Sequence, residues 1–386
     1  MSPVLQNILL AVIYLVFPAL VIYYAGKFLF LKKAGNVVVV YFFGIIFGNL
    51  GILNQNHAQL QELFSSVSIL LSLPLLLVGL NFSSWTKMAP KTFVSMLLGI
   101  FAVVFTVVLG FFIFRNVIPE SWKISGMLIG VYMGGTPNLA SIKEALKVDA
   151  YTYLMVHTSD LIFSGAYLLI LISFGKVLLK KWLPYGFLYR GRFNNSSIEF
   201  SQNEDYTYFF KSYNLKPSLG LLLVSVVIFL FSYVISTLVP EKFSAMIIIL
   251  LITTLGIVIS FVPTLRRVPK SFELGMYLIL VFSFVVASMA DMSKISLGAM
   301  PIFLFVSYVI TVTFLIHALL AKIFKVDADT LIITSTALIC SPAFVPMMAG
   351  SLNNRSIILG GLTVGIIGYA IGNYLGIFTA LLLSHL

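Results

Sequence analysis

The sequence is poor in charge and almost without cysteine. Only 10% of its 386 residues are Asp, Glu, Lys or Arg, against about a quarter in soluble domains, which excludes an ordinary water-soluble fold. A single cysteine, Cys340, excludes a disulfide framework within the chain. Acidic residues number 13 against 24 basic ones, a net charge of +11. Most of the excess falls in loops between apolar runs, so it marks membrane orientation and not a nucleic-acid partner. There is no phosphate-binding loop of the Walker type, which argues against ATP-driven pumping. No metal-ligand cluster, Ser/His/Asp set or Cys/His set can be assembled either. Neither an enzyme nor a resident cofactor is therefore expected.

What the chain does have is apolar length. It is 60% hydrophobic with a mean hydropathy of +1.06, and runs of roughly twenty apolar residues are transmembrane helices. The first half reads 4–31, 37–53, 63–80, 92–114, a broken run 124–147, and 151–179. The first run is too long for a signal-peptide core and has no small-residue cleavage site after it, so it is a retained span. The second half reads 217–238, 243–262, 272–290, 298–321, a broken run 330–352, and 357–383. Between the halves, 181–216 is polar and reads as a linker. Each half thus has four spans, a broken element and a long final helix.

Charge decides the topology. Basic residues follow the first span (Lys27, Lys32, Lys33), the third (Lys87, Lys91) and the long helix (Lys176, Lys180, Lys181, Arg190, Arg192). In the second half they follow the second span (Arg266, Arg267, Lys270) and the fourth (Lys322, Lys325). If each broken element is a re-entrant hairpin, all of these clusters fall in the cytoplasm, as the positive-inside rule requires. If the broken elements crossed fully, the linker cluster would lie outside. The expected fold is an all-α polytopic membrane protein of the inner or plasma membrane, with both termini outside. It has two inverted repeats, 1–180 and 217–386, each of five transmembrane helices plus a re-entrant element, joined by the cytoplasmic linker 181–216.

The breaks carry the functional expectation. At Gly134-Gly135-Thr136-Pro137-Asn138 the helix should stop, because proline lacks a donor and biases its predecessor away from the helical region. Ser335, Thr336, Ser341 and Pro342 mark the matching break in the second half. Interrupted helices at membrane depth line cavities and hold substrates or ions. Asp160 lies about ten residues into a long helix, and a carboxylate at that depth costs about 2.5–3.5 kcal/mol on insertion scales. It is the candidate coupling-ion ligand, for sodium ahead of a proton, because hydroxyl and amide groups cluster near a single carboxylate. His157, one turn earlier, is expected to be a hydrogen-bonded wall residue. His317 is expected to be structural, and the glycines around Gly365–Gly376 to serve packing. Asn373, among those glycines, is a further candidate for the site.

Gly-Gly-Thr-Pro-Asn-Leu-Ala…Glu-Ala-Leu-Lys-Val (134–148) and Gly-Tyr-Ala-Ile-Gly-Asn-Tyr-Leu-Gly (368–376) resemble the YjcL-like family of uncharacterised membrane proteins. That family is grouped with the sodium/glutamate symporters and the wider superfamily of bile-acid symporters and antiporters. The resemblance implies a scaffold domain beside a mobile core, and secondary transport by an elevator motion in a homodimer. It places the family's Gly-Gly-[small]-x-Asn on Gly134, Gly135 and Asn138, and its acidic position on Asp160. Where the family carries Ser-Asn-Ala-Asn-Ile-Gly-Gly-Pro, this chain has Ser335-Thr336-Ala337-Leu338-Ile339-Cys340-Ser341-Pro342, without the two asparagines and two glycines.

The expected function is thus ion-coupled transport of a small organic anion, since helix N-termini at the breaks favour negative charge. A cation/proton antiporter is the alternative. From another class, a non-transporting scaffold or sensor subunit remains open.

Overall fold

The computed structural model describes residues 3–28, 36–53, 57–79, 89–180, 182–183, 212–289, 300–352 and 354–386, and among these every regular element is helical. The first half forms α1 (Pro3–Lys27), α2 (Asn36–Asn49), α3 (Ala58–Val78), α4 (Pro90–Phe114), α5 (Ser121–Ala145) and α6 (Ala150–Ile170). The second half forms α7 (Ser212–Ser236), α8 (Glu241–Ser260), α9 (Ser271–Ser288) and α10 (Met300–Ile323). The chain ends with α11 (Ala328–Ser335), α12 (Val345–Ser351) and α13 (Ile358–Leu383). Helix α6 continues through a π turn, Leu171–Gly175, into Lys176–Lys180, and α11 continues through a second π turn, Thr336–Cys340.

Nine described helices are long and apolar enough to cross a bilayer. The tenth expected span, α2, has only 14 residues, about 21 Å at 1.5 Å per residue. It stops at Asn49 because Gly51 turns the chain with φ +73°, inside the run that hydropathy alone reads as continuous. Most of the expected linker lies outside the described residues, and its last residues, from Ser212 on, belong to α7.

The chain divides into two compact units, and each takes helices from both halves of the sequence. The first contains α1–α3 and α7–α9, with residues 147–154. Its core is apolar and aromatic, with Phe284 stacked on Phe17 and meeting Tyr14 edge-on. One buried polar knot sits inside it. The Gln61 amide donates to the Tyr14 hydroxyl at 3.0 Å and to the Ser288 hydroxyl at 3.1 Å. In an apolar medium such a knot fixes helix register, because any slip leaves polar atoms unpaired.

The second unit contains α4, α5, α6 from Met155 onward, and α10–α13. Helix α5 is not a single rod. At Gly135 the backbone leaves helical geometry (φ 66°, ψ −163°), a conformation open to glycine and costly for other residues. The chain folds back there. A methyl group placed on Gly126 would lie 3.2 Å from Leu146, one on Gly130 would lie 2.4 Å from Ile142, and one on Gly134 would meet the Asn138 side chain. The paired positions close symmetrically about Thr136, so α5 is a hairpin with its tip at 135–137.

A second hairpin turns at 341–342. Ile333 and Val345, from its two arms, both pack on Gly361, and at its mouth the Asn354 amide donates to Asp329 at 3.0 Å. Helices α4 and α10 run antiparallel: Ser95, near the start of α4, meets His317 late in α10, and Phe114, at the end of α4, stacks on Phe305 early in α10. The first hairpin follows α4 and the second follows α10. They therefore enter the unit from opposite ends.

Both tips rest on the middle of α13. Pro342 fills the notch at Gly365, and the Met133 carbonyl lies against Gly368, three residues or about 4.5 Å further along the helix. A methyl group on Gly368 would come within 1.7 Å of that carbonyl oxygen. Gly368→Ala should therefore lower thermal stability in detergent by about 3 kcal/mol or more, the upper range for overpacking where backbone cannot yield. Gly165→Ala, on α6 where nothing lies within 4 Å, should instead raise stability by up to about 1 kcal/mol.

Candidate functional site

Asp160 sits on α6 in the second unit and is 6% exposed. Its Oδ1 has no hydrogen-bond partner among the described residues. Beside it stands Tyr132, three residues before the Gly135 break in the first hairpin. The Tyr132 hydroxyl is also buried and without a partner among the described residues. It faces the carboxyl closely enough to interact with it as a hydrogen-bond neighbour, at a geometry looser than an ordinary hydrogen bond. From the second hairpin Cys340 completes the group, near both the carboxyl and the phenol. Its thiol donates to the Ser164 carbonyl at 3.7 Å, one turn beyond Asp160. Carboxyl, phenol and thiol thus come from three separate elements. An ionised carboxylate in a low-dielectric interior is costly unless a cation or a hydrogen-bond donor answers it.

The other residues expected at the site lie on the two hairpins and on α6 and α13. Asn138 is buried at the first tip, and its amide donates to the Gly368 and Tyr369 carbonyls of α13 at 3.4 and 3.3 Å. It fastens the tip to α13. Gly134 and Pro137 are buried in the same tip, while Gly135 and Thr136 are half-buried. Ser335 shares a hydrogen bond with the Tyr167 hydroxyl of α6, and the Thr336 hydroxyl donates to the Ile332 carbonyl at 2.8 Å. Pro342 is buried against α13. Asn373 on α13 and His157 on α6 are fully buried.

His317 has the structural role expected of it, with Nε2 donating to the Ser95 carbonyl at 2.9 Å. Lys143 and Glu144 pair at 2.7 Å with Lys143 buried. Closure of the hairpin covers that side chain. Asp291 and Lys294 fall outside the described residues.

Ser341 has an unusual backbone. It lies at φ 155°, ψ 152°, a region populated almost only by glycine and costing about 1–3 kcal/mol for other residues. The adjoining π turn, Thr336–Cys340, ends with the Ser341 amide donating to the Thr336 carbonyl at 3.0 Å. Single π turns of this kind commonly mark functional sites.

Tyr132 and Cys340 are the site residues that motif reading misses. Tyr132 lies in an apolar helical run, where aromatics are ordinary core. Cys340 stands where the resembling family carries glycine. A second missed signal is a repeated corner, Lys147-Val-Asp149-Ala-x-Thr152 and Lys325-Val-Asp327-Ala-x-Thr330. In both, lysine takes positive φ (50° and 55°), and the aspartate accepts from the threonine amide, at 2.9 and 3.0 Å. Each is a helix N-cap that turns the chain sharply between helices.

A family model matches residues 10–386 of the chain. The chain belongs to the DUF819 family. The family is described as proteins of unknown function. One similar protein is the uncharacterized membrane protein YjcL of Bacillus subtilis (strain 168), 25% identical over 363 residues that cover 91% of this chain and 90% of YjcL. The likeness spans both hairpins and agrees with the family that the glycine-rich motifs suggest. In this DUF819 chain the strain at Ser341 is directly testable. Ser341→Gly should raise stability in detergent by about 1 kcal/mol, the relief of strain less the added chain entropy of glycine, read as a higher unfolding temperature.

Proposed function

We propose that this DUF819 protein is a secondary active transporter in which Asp160 binds the coupling cation between two hairpin tips. The observation that carries this reading is the meeting of hairpins from opposite ends beside a buried carboxylate with an unpartnered oxygen. A purely structural protein has little reason to break two helices at membrane depth and leave a charge-bearing group uncompensated. Transporters built from inverted repeats use such broken helices to form a midplane site. In this reading α4–α6 and α10–α13 are inverted copies, the second unit is the moving core, and the first is the scaffold of an elevator-type homodimer in the cell membrane. Sodium is the proposed ion and a small organic anion the proposed substrate, with the helix starting at the first tip offering the positive end of its dipole. A cation/proton antiporter would use the same carboxylate and differ in lacking an organic substrate.

Thermal unfolding of the detergent-purified protein tests the ion site. Sodium is titrated against choline at constant ionic strength, in wild type and in Asp160→Asn. Binding to the folded state alone adds RT ln(1 + [L]/Kd), about 2.7 kcal/mol at a hundredfold excess over Kd. A saturable sodium shift in wild type, lost in Asp160→Asn, is the expected result. A flat sodium response with a pH response that depends on Asp160 would move the assignment to the antiporter. No Asp160-dependent response to either ion would sink the coupling role.

A companion variant separates site from scaffold. Tyr132→Phe removes a buried hydroxyl that has no partner among the described residues, so it should keep or raise basal stability, by up to about 1–3 kcal/mol. It should also weaken the sodium shift, which a merely structural tyrosine would leave unchanged.

A further inference from the structure

The two tips close the Asp160 site in different ways. On the first-hairpin side the tip residues Gly135 and Thr136 are half-buried, but behind them Tyr132, Met133 and Asn138 are at most 1% exposed. The tip is clamped to α13 by backbone contact at Gly368 and by the Asn138 amide. On the second-hairpin side Cys340 and Ser341 are half-buried and Phe344 is 39% exposed. Towards α6 the tip residue Cys340 is held by one thiol–carbonyl contact of 3.7 Å to Ser164. A thiol is a weak donor. Cys340 is the last residue of the π turn, and the strained Ser341 follows it immediately.

Resting on the reading of Asp160 as a binding carboxylate, we propose that ligand reaches it past Cys340, so that the second tip is the entrance and the first a fixed wall. The chain's only thiol is then the threshold residue of the site. It stands beside a carboxylate oxygen that is buried and unpartnered, which makes the position more than an isolated cysteine. A bulky group on the sulfur should occupy the passage.

Because Cys340 is the sole cysteine, alkylation of wild-type protein with a hydrophilic maleimide reports on this position alone. Cysteine reactivity follows exposure, so Cys340 should react on the order of tenfold faster than Met133→Cys in a Cys340→Ala background. Equal or reversed rates would overturn the proposal. The second arm uses a water-soluble carbodiimide with an amine nucleophile to modify Asp160, quantified by mass spectrometry. Prior maleimide treatment should suppress Asp160 modification in wild type and have no effect in Cys340→Ala. Unchanged Asp160 modification after complete alkylation would place the entrance elsewhere, whatever the behaviour of the Met133→Cys variant. Neither arm needs a transported substrate or a sodium response. Loss of the sodium shift would therefore count against ion coupling alone, and failure of the labelling pattern against this route alone.

Discussion

A helix broken inside a membrane exposes amides and carbonyls that lipid cannot satisfy, and the second unit is arranged around covering them. Two breaks double the requirement. The solution is a single glycine-rich helix, α13, on which both tips lie. Glycine is needed there for a spatial reason. At Gly368 the neighbouring backbone carbonyl occupies the volume that any side chain would take. Small residues at four-residue spacing provide such approaches in membranes, where there is no hydrophobic drive to bring helices together and packing must do it. The Asn138 amide adds a polar fastening at the same point.

Once the tips are seated, the chemistry follows from position. Asp160 does not belong to either hairpin, yet it meets a residue from each. Neither neighbour carries positive charge. The first unit has buried polar groups of another kind. Gln61, Tyr14 and Ser288 satisfy one another, and such a closed set holds helices in register and asks for no ligand.

Much of the fold was legible in the sequence because hydropathy and proline placement act locally. The spans, the two breaks and the stop at Gly135 follow from run length and backbone restriction. The shortness of α2 was not legible, because Gly51 ends the helix inside an apolar run. The site was only partly legible. Asp160 stands out as an intramembrane charge, whereas Tyr132 and Cys340 become neighbours of it only through the folding of the hairpins. Asn138, Ser335 and Thr336 look like ligands as residue types, but their hydrogen bonds run to α13, α6 and their own helix. Side-chain chemistry alone cannot tell a fastening from a ligand. The partner must be seen.

The seating of Met133 on Gly368 also has a mechanical consequence. Sliding α13 by one residue, or turning it by the roughly 100° that separates neighbours on a helix, would drive Ile367 or Tyr369 into the Met133 carbonyl. A one-residue slip is closed to that joint. The first hairpin and α13 are therefore keyed together in register.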